Sequence, residues 1–294
     1  MKSLEKILVA TDFGPSAGDA LRTAQVLATT WGSKVILIHV MPNLPGSLVA
    51  LRPLRLAIRE RLWVLQNELL KAGVSVVASE VAEGVAFDQI LRASDRLDVN
   101  VIVVGSGGQA ESGAGHLGVT TERLVRKASR PVWVVKAGAA PVFQRILCAV
   151  DFSDPARRAL DNAIHLARSF RAELRVLHVS ESWPELYAVH AAVAVEAQAR
   201  YQSEERQEFD AFLRPFDFSA VAWTKVERQG VAHREILRCA GEWKADLLVM
   251  GSVGRTGLSR ILLGSVAGKV LREMPCSVIM VKTEGAVPSG EIIR

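Results

Sequence analysis

Cysteine is scarce in this chain, and what there is carries no pattern. Cys148, Cys239 and Cys276 are the three thiols in 294 residues, far apart and odd in number. That excludes a disulfide framework and leaves buried, reduced thiols as the expectation. His116, His165, His190 and His233 stand at no metal-binding spacing to one another, so no metal site is expected. No uninterrupted apolar run reaches 18 residues, which excludes a membrane-spanning segment. The first six residues run straight into a strand pattern and lack the apolar region of a signal peptide, so a cytoplasmic protein is expected. No long block of Lys or Arg is present either. The net charge of +5 and pI near 9.3 favour anionic ligands mildly and make no case for nucleic acid. No G-x-S-x-G elbow occurs, and no second general base accompanies any candidate nucleophile.

What is present is a repeat. Ile7-Leu8-Val9-Ala10-Thr11-Asp12-Phe13 matches Ile146-Leu147-Cys148-Ala149-Val150-Asp151-Phe152 at an offset of 139 (146 − 7), and His39-Val40 matches His178-Val179 at the same offset. Gly105-Ser106 then matches Gly251-Ser252 at 146 (251 − 105), as Gly118 matches Gly264 and Lys136 matches Lys282. The second half therefore carries seven extra residues (146 − 139) before its glycine loop. Two domains are expected, 1–138 and 144–284, joined by the turn-like Ala137-Gly138-Ala139-Ala140-Pro141. Each is long enough for a core of its own.

Each half alternates apolar runs with helical patterns. Strands are expected at 5–11, 34–40, 74–81, 100–105 and 131–136, then at 145–150, 173–179, 220–227, 246–251 and 277–282. Ala17, Leu21, Ala24, Ala28 and Trp31 form one helix stripe; Ala156, Leu160, Ala163, Ala167 and Phe170 form its counterpart. Strands separated by helices make an α/β fold with two doubly wound parallel sheets, whose ligands sit beyond the strand carboxyl ends. The run 186–199, rich in Ala and Val, reads as a helix covering the sheet or as an interaction surface.

The second half contains Gly251-Ser252-Val253-Gly254, nine residues, then Gly264-Ser265-Val266, between a strand pattern and a helix pattern. Strand, glycine loop and helix aim backbone N–H groups at an anion. Ser265 adds a hydroxyl, as helix cap or phosphate donor. A turn and a cap without a ligand would leave the same glycine spacing.

The G-2x-G-9x-G-[S/T] spacing, with Arg255-Thr256-Gly257-Leu258 and Leu262-Leu263, resembles the universal stress protein family along nearly the whole of both halves. The resemblance implies a five-stranded parallel sheet of order 3-2-1-4-5 in each half. It implies pairing through the last strands, here 132–136 with 278–282, as an internal pseudo-dimer; a homodimer is a further possibility. It also implies ATP, with or without Mg, in the second half. By resemblance Ala149, Val150 and Asp151 lie beside the nucleoside, with Asp151 accepting a ribose or adenine hydrogen bond. Val179 meets the adenine edge through its backbone, and Met250 and Gly251 line the ribose. Gly254, Gly264, Ser265 and Val266 surround the phosphates, and Arg255 and Arg260 offer charge, with solvated surface arginines as the alternative.

The first half departs from that pattern. Val119 stands where Ser265 does, Gly14 stands where Ser153 does, and the loop 109–117 carries Glu111 and no Arg or Lys. ATP binding there is expected to be weak or absent. Gly113-x-Gly115-x-x-Gly118 does not directly follow a strand and has no ribose-binding acid where a dinucleotide site needs one. Lys269 lies in a stretch that lacks the final hydroxyl of a P-loop. His39 and His178 read as packed strand-end residues. The chain thus reads as a tandem universal stress protein with a regulatory ATP site in its second half. The alternatives are a nucleotide-independent interaction scaffold and a slow ATP hydrolase.

Overall fold

The computed structural model describes residues 4–43, 48–107, 117–180, 191–254 and 263–282. The first half runs β1 (Lys6–Ala10), α1 (Pro15–Trp31), β2 (Lys34–Met41), α2 (Leu48–Lys71), β3 (Ser75–Glu83), α3 (Ala86–Arg96), β4 (Val101–Gly105), α4 (Val119–Lys127) and β5 (Val132–Val135). The second repeats it as β6 (Arg145–Val150), α5 (Asp154–Phe170), β7 (Glu173–Ser180), α6 (Ala191–Leu213), β8 (Trp223–Gln229), α7 (Ala232–Trp243), β9 (Leu247–Gly251), α8 (Ser265–Glu273) and β10 (Ser277–Val281). Of the run 186–199, residues 191–199 open α6, and 186–190 lie outside the described residues.

The local chemistry explains the boundaries. Pro15 opens α1 at a position where its missing N–H costs nothing, and Gly32 closes the helix in the left-handed region at φ 68°. Ser153 caps α5, its Oγ accepting from the Ala156 N–H at 3.4 Å. One expected strand begins late. β8 starts at Trp223 and not at 220, because Ala220 adopts φ 59° and the Val221 N–H bonds back to the Phe218 carbonyl, closing a turn.

The ten strands form one sheet of order β3-β2-β1-β4-β5-β10-β9-β6-β7-β8. Each half keeps the parallel order implied by the resemblance, and the halves join where β5 and β10 run antiparallel, Trp133 opposite Ile279. The last strands of the two repeats do pair with each other. Both are fully buried, so their apolar residues and unpaired backbone edges satisfy one another.

The core is not divided by half, as length alone suggests. One apolar cluster covers each face of the sheet, and each cluster runs through both repeats. The helix stripes of α1 and α5 pack on the same face, and their equivalent ends, Trp31 and Phe170, meet edge-on at 5.2 Å. Phe143 bridges this pair to Trp133. Lysines clamp the seam: Lys136 Nζ donates to the Pro275 carbonyl at 2.9 Å, and Lys282 Nζ donates to the Val125 carbonyl. The three cysteines are free and buried; burial pushes the Cys276 thiol up to about 12 and raises those of Cys148 and Cys239. Among the described residues no helix is long and apolar enough to cross a membrane, and no group of three or more His, Cys, Asp or Glu is placed to hold a metal.

Candidate functional site

In a sheet of this order the strand sequence reverses direction between the first and fourth strands of each half, and the crevice beyond their carboxyl ends is the default ligand position. In the second half that crevice lies beyond β6 and β9, which pair through Ala149 opposite Met250. Ala149, Val150 and Met250 are buried strand residues that anchor the loops leaving these two strand ends.

Asp151 comes directly after β6, and its carboxylate is held in place. Oδ1 accepts from the Ser153 N–H at 3.2 Å and from the Ser153 hydroxyl at 2.5 Å. Oδ2 lies against the backbone of Gly254: a Cβ built on that glycine would be 2.5 Å from it. A side chain at 254 would push against the Asp151 carboxylate, and glycine lets the loop approach it closely. Gly264 lies on the same loop, its N–H bonded to the Ser252 carbonyl at 2.8 Å and its Cα facing Val253 and Gly254. Ser252 in turn donates its N–H to the Val281 carbonyl, tying the loop to β10. Asp151, Gly254 and Gly264 thus converge at the N-terminus of α8, while Gly251, at the end of β9, lies against Pro155 of α5.

The expected role of Ser265 as a cap is corrected. Gly264 is the cap, no side-chain cap bond is made among the described residues, and Ser265 is the first helical residue with an exposed side chain. The Ser265 hydroxyl is therefore not the helix cap, and the first turn of α8 holds no acid. Val266 is the second residue of that turn. Val179 lies within β7, opposite Arg228 of β8, and is half-buried. Arg255 and Arg260 lie outside the described residues.

Beneath this site sits a group that periodicity did not expose. His178 is 7% exposed and stacks on Phe152, ring centroids 4.2 Å apart. Its Nδ1 donates to the Val150 carbonyl at 3.0 Å, and its Nε2 faces Glu205 Oε2 of α6 at 3.5 Å. Phe152 takes φ 66° to make the stack, as Phe13 takes φ 64° to stack on His39 in the first half. A non-glycine residue in this region is unfavourable alone and is held by its surroundings. The repeated Asp-Phe dipeptide was the available signal, but nothing in it announces a left-handed phenylalanine.

The first half has the same frame with looser fittings. His39 Nδ1 bonds the Thr11 carbonyl at 2.8 Å, and Gly118 donates to the Ser106 carbonyl at 2.7 Å, as Gly264 does to Ser252. Gly107 sits at φ 78° against Gly118, where a Cβ would meet the Gly118 Cα at 2.8 Å. Asp12, without a serine partner, accepts from the Gly14 N–H at 2.8 Å. Residues 108–116, including Glu111 and the Gly113–Gly115 pair, lie outside the described residues.

The universal stress protein family pattern matches residues 3–136 and, a second time, 143–282. The chain belongs to the universal stress protein family. It is a tandem member, with two such domains in one sheet. A universal stress protein of Methanocaldococcus jannaschii is 36% identical over 145 residues, which span 48% of this chain and 83% of that protein. A solved universal stress protein of Archaeoglobus fulgidus shares the fold over 94% of this chain and 98% of its own, with a TM-score of 0.70 at 22% identity. A universal stress protein solved in complex with cAMP is 27% identical, covering 49% of this chain and 99% of its own, with a TM-score of 0.33.

Proposed function

We propose that this tandem universal stress protein binds ATP in its second domain, residues 144–284, and that binding serves as a regulatory signal in a stress response. The observation that carries the reading is the convergence of the Asp151 carboxylate with Gly254 and Gly264 at the N-terminus of α8, whose own first turn holds no acid. Backbone N–H groups and the helix dipole there favour phosphate oxygens. The Ser265 hydroxyl, not used as a cap, adds a donor, and Arg255, next in sequence after Gly254, adds charge. Asp151, pinned by Ser153, is oriented toward the glycine loop, where its carboxylate can accept a hydroxyl of the sugar. Ala149, Val150, Val179, Met250, Gly251 and Val266 supply the walls. Mg accompanies the phosphates as it does ATP in solution.

Turnover is not the role this arrangement favours. Hydrolysis needs a positioned base for the attacking water, and Asp151 has one oxygen engaged by two donors from Ser153. Nucleotide occupancy, read by a partner protein, is the output we assign.

Calorimetric titration of nucleotide-free protein with ATP tests this. One ATP per chain is expected, abolished in Gly264→Glu with the thermal transition retained. A Cβ at Gly264 meets its nearest atoms at 3.3–3.7 Å, so the side chain is admitted with slight adjustment while its carboxylate occupies phosphate space. Unchanged ATP affinity in that variant would remove the site from the second domain. Absence of binding to the unaltered protein would leave the scaffold reading in its place.

A further inference from the structure

Between α6 and the strands β7 and β8 lies a polar pocket of about 150 Å³, lined by His178, Ser180, Gln202, Glu205, Glu227 and Gln229 among others. It shares no lining residue with the crevice beyond β6 and β9. Two of its side chains bring buried acceptors together without a hydrogen bond, His178 Nε2 and Glu205 Oε2, 3.5 Å apart. His178 is more than nine-tenths buried, and the Glu205 side chain is 12% exposed. We propose that this pocket binds a small primary amine as its ammonium ion, held between those two acceptors.

Each acceptor is fixed by a bond at its other end. His178 Nδ1 donates to the Val150 carbonyl, and the ring stacks on Phe152. The neutral ring therefore turns a lone pair toward Glu205, not a hydrogen. Glu205 Oε1 accepts from the Tyr201 hydroxyl at 2.7 Å, which leaves Oε2 facing the histidine. Two acceptors repel unless a donor comes between them. An imidazolium would close on the carboxylate, yet 3.5 Å is beyond the roughly 2.7–3.2 Å of an N–H···O bond. The spacing suits a donor from outside.

The lining does not supply that donor. Ser180 Oγ donates to the Arg228 carbonyl, Gln202 Nε2 to Gln229 Oε1 and Arg206 Nε to Glu227 Oε2, each at 3.2 Å. Lys225 also pairs with Glu227, at 2.8 Å, and Arg228 turns its guanidinium to Glu235 and Glu242 of α7, on the opposite face of the sheet. Among the described residues no lysine or arginine pairs with Glu205. A buried carboxylate oxygen and an imidazole nitrogen left without donors cost stability, which a ligand bringing charge and hydrogens restores. One ammonium nitrogen carries a hydrogen for each acceptor and cancels the charge; an alcohol brings one hydrogen and no charge. A metal ion is less well served, because among the described residues no group of three or more His, Cys, Asp or Glu is placed to hold one. The pocket is smaller than the roughly 300–1,000 Å³ of drug-sized sites, which limits the occupant to a short amine. The site belongs to the second half alone. His39 makes the same Nδ1 bond and the same phenylalanine stack, but it is half-buried and meets no carboxylate among the described residues.

The test titrates the full chain with butylamine at about pH 8, where histidine side chains are ordinarily neutral and an alkylamine is protonated. 1-Butanol is the uncharged comparison. Butylamine is expected to bind with one site per chain and to raise the thermal transition, and 1-butanol at equal concentration to do neither. Glu205→Gln removes the charge and turns an amide donor toward His178 from within the protein. It should weaken butylamine at least about tenfold while the transition is kept or raised. A lowered transition in Glu205→Gln, with no butylamine binding to the unaltered chain, would mean that the two groups form an internal ion pair, and the proposal fails. Equal responses to butylamine and 1-butanol, or unchanged butylamine affinity in Glu205→Gln, also overturn it. Gln202→Trp, which fills the pocket from α6, should abolish binding without touching either acceptor; affinity that survives it refutes the placement. Gly264→Glu should leave butylamine affinity unchanged, so that failure of the nucleotide reading and failure of this one are told apart; loss of butylamine there would move it to the nucleotide crevice and refute the proposal.

Discussion

Replacing Lys282 by Met should stabilise the protein at neutral pH and remove a specific part of its pH dependence. Lys282 comes directly after β10, is 6% exposed, and has its Nζ on the Val125 carbonyl across the seam. Burial lowers its pKa from 10.5 to about 8. The unfolded chain therefore holds the proton over a range in which the folded chain has lost it, and stability rises as pH increases from about 8 to about 10.5. Below that window both states are protonated and the folded state bears the full cost of a buried ammonium, about 3 kcal/mol at most. Methionine has a similar shape without the charge, but leaves the Val125 carbonyl without its donor, a loss of about 1 kcal/mol. The variant should lead by about 1–2 kcal/mol near pH 7 and lose that lead near pH 10. Urea midpoints of both proteins at the two pH values measure it; the difference between proteins cancels the other lysines. A variant less stable near pH 7, or a lead that does not shrink with pH, would refute the burial argument.

The same geometry sets further outcomes. Ser153→Ala removes both the α5 cap and the hydroxyl bond that orients Asp151; about 1 kcal/mol of stability is expected to go, with a weaker ATP affinity by calorimetry, and unaltered affinity would mean that Asp151 needs no support. Because each core cluster spans both repeats, heat should unfold the chain in one transition, and Phe170→Ala, which removes the contact to Trp31 and Phe143, should lower that single transition rather than split it. Residues 1–138 expressed alone would bare β5, whose residues are all buried; sedimentation should find them self-associated, and a stable monomer would count against the seam as a required edge cover. Cys148 and Cys276, both raised by burial, should react with a thiol reagent only on unfolding; fast labelling of the native chain would contradict their placement.

The repeat, the order of strands and helices, the apolar stripes of α1 and α5 and the two glycine loops were legible in the chain, because each is a local pattern: a period of side chains, a glycine at a turn, a match at fixed offset. The pairing of β5 with β10 came from family resemblance and not from the residues, since a buried apolar strand does not name its neighbour. Contacts between distant positions were out of reach. Asp151 against Gly254, Glu205 beneath His178, Lys282 on Val125 and Trp31 against Phe170 each join residues that no spacing relates. The left-handed Phe13 and Phe152 and the late start of β8 were hidden for a related reason: surroundings override backbone preference where packing outweighs it. Ser265 is the sharpest case. As a residue type it suits a helix cap, yet tertiary placement of Gly264 over the Ser252–Gly254 backbone makes the glycine the cap and Ser265 the first helical residue. Sequence alone determined which elements exist and how they repeat, because secondary structure answers to near neighbours. The tertiary structure decided which polar groups each cleft can offer a ligand, because that depends on partners brought together only when the sheet closes across its seam.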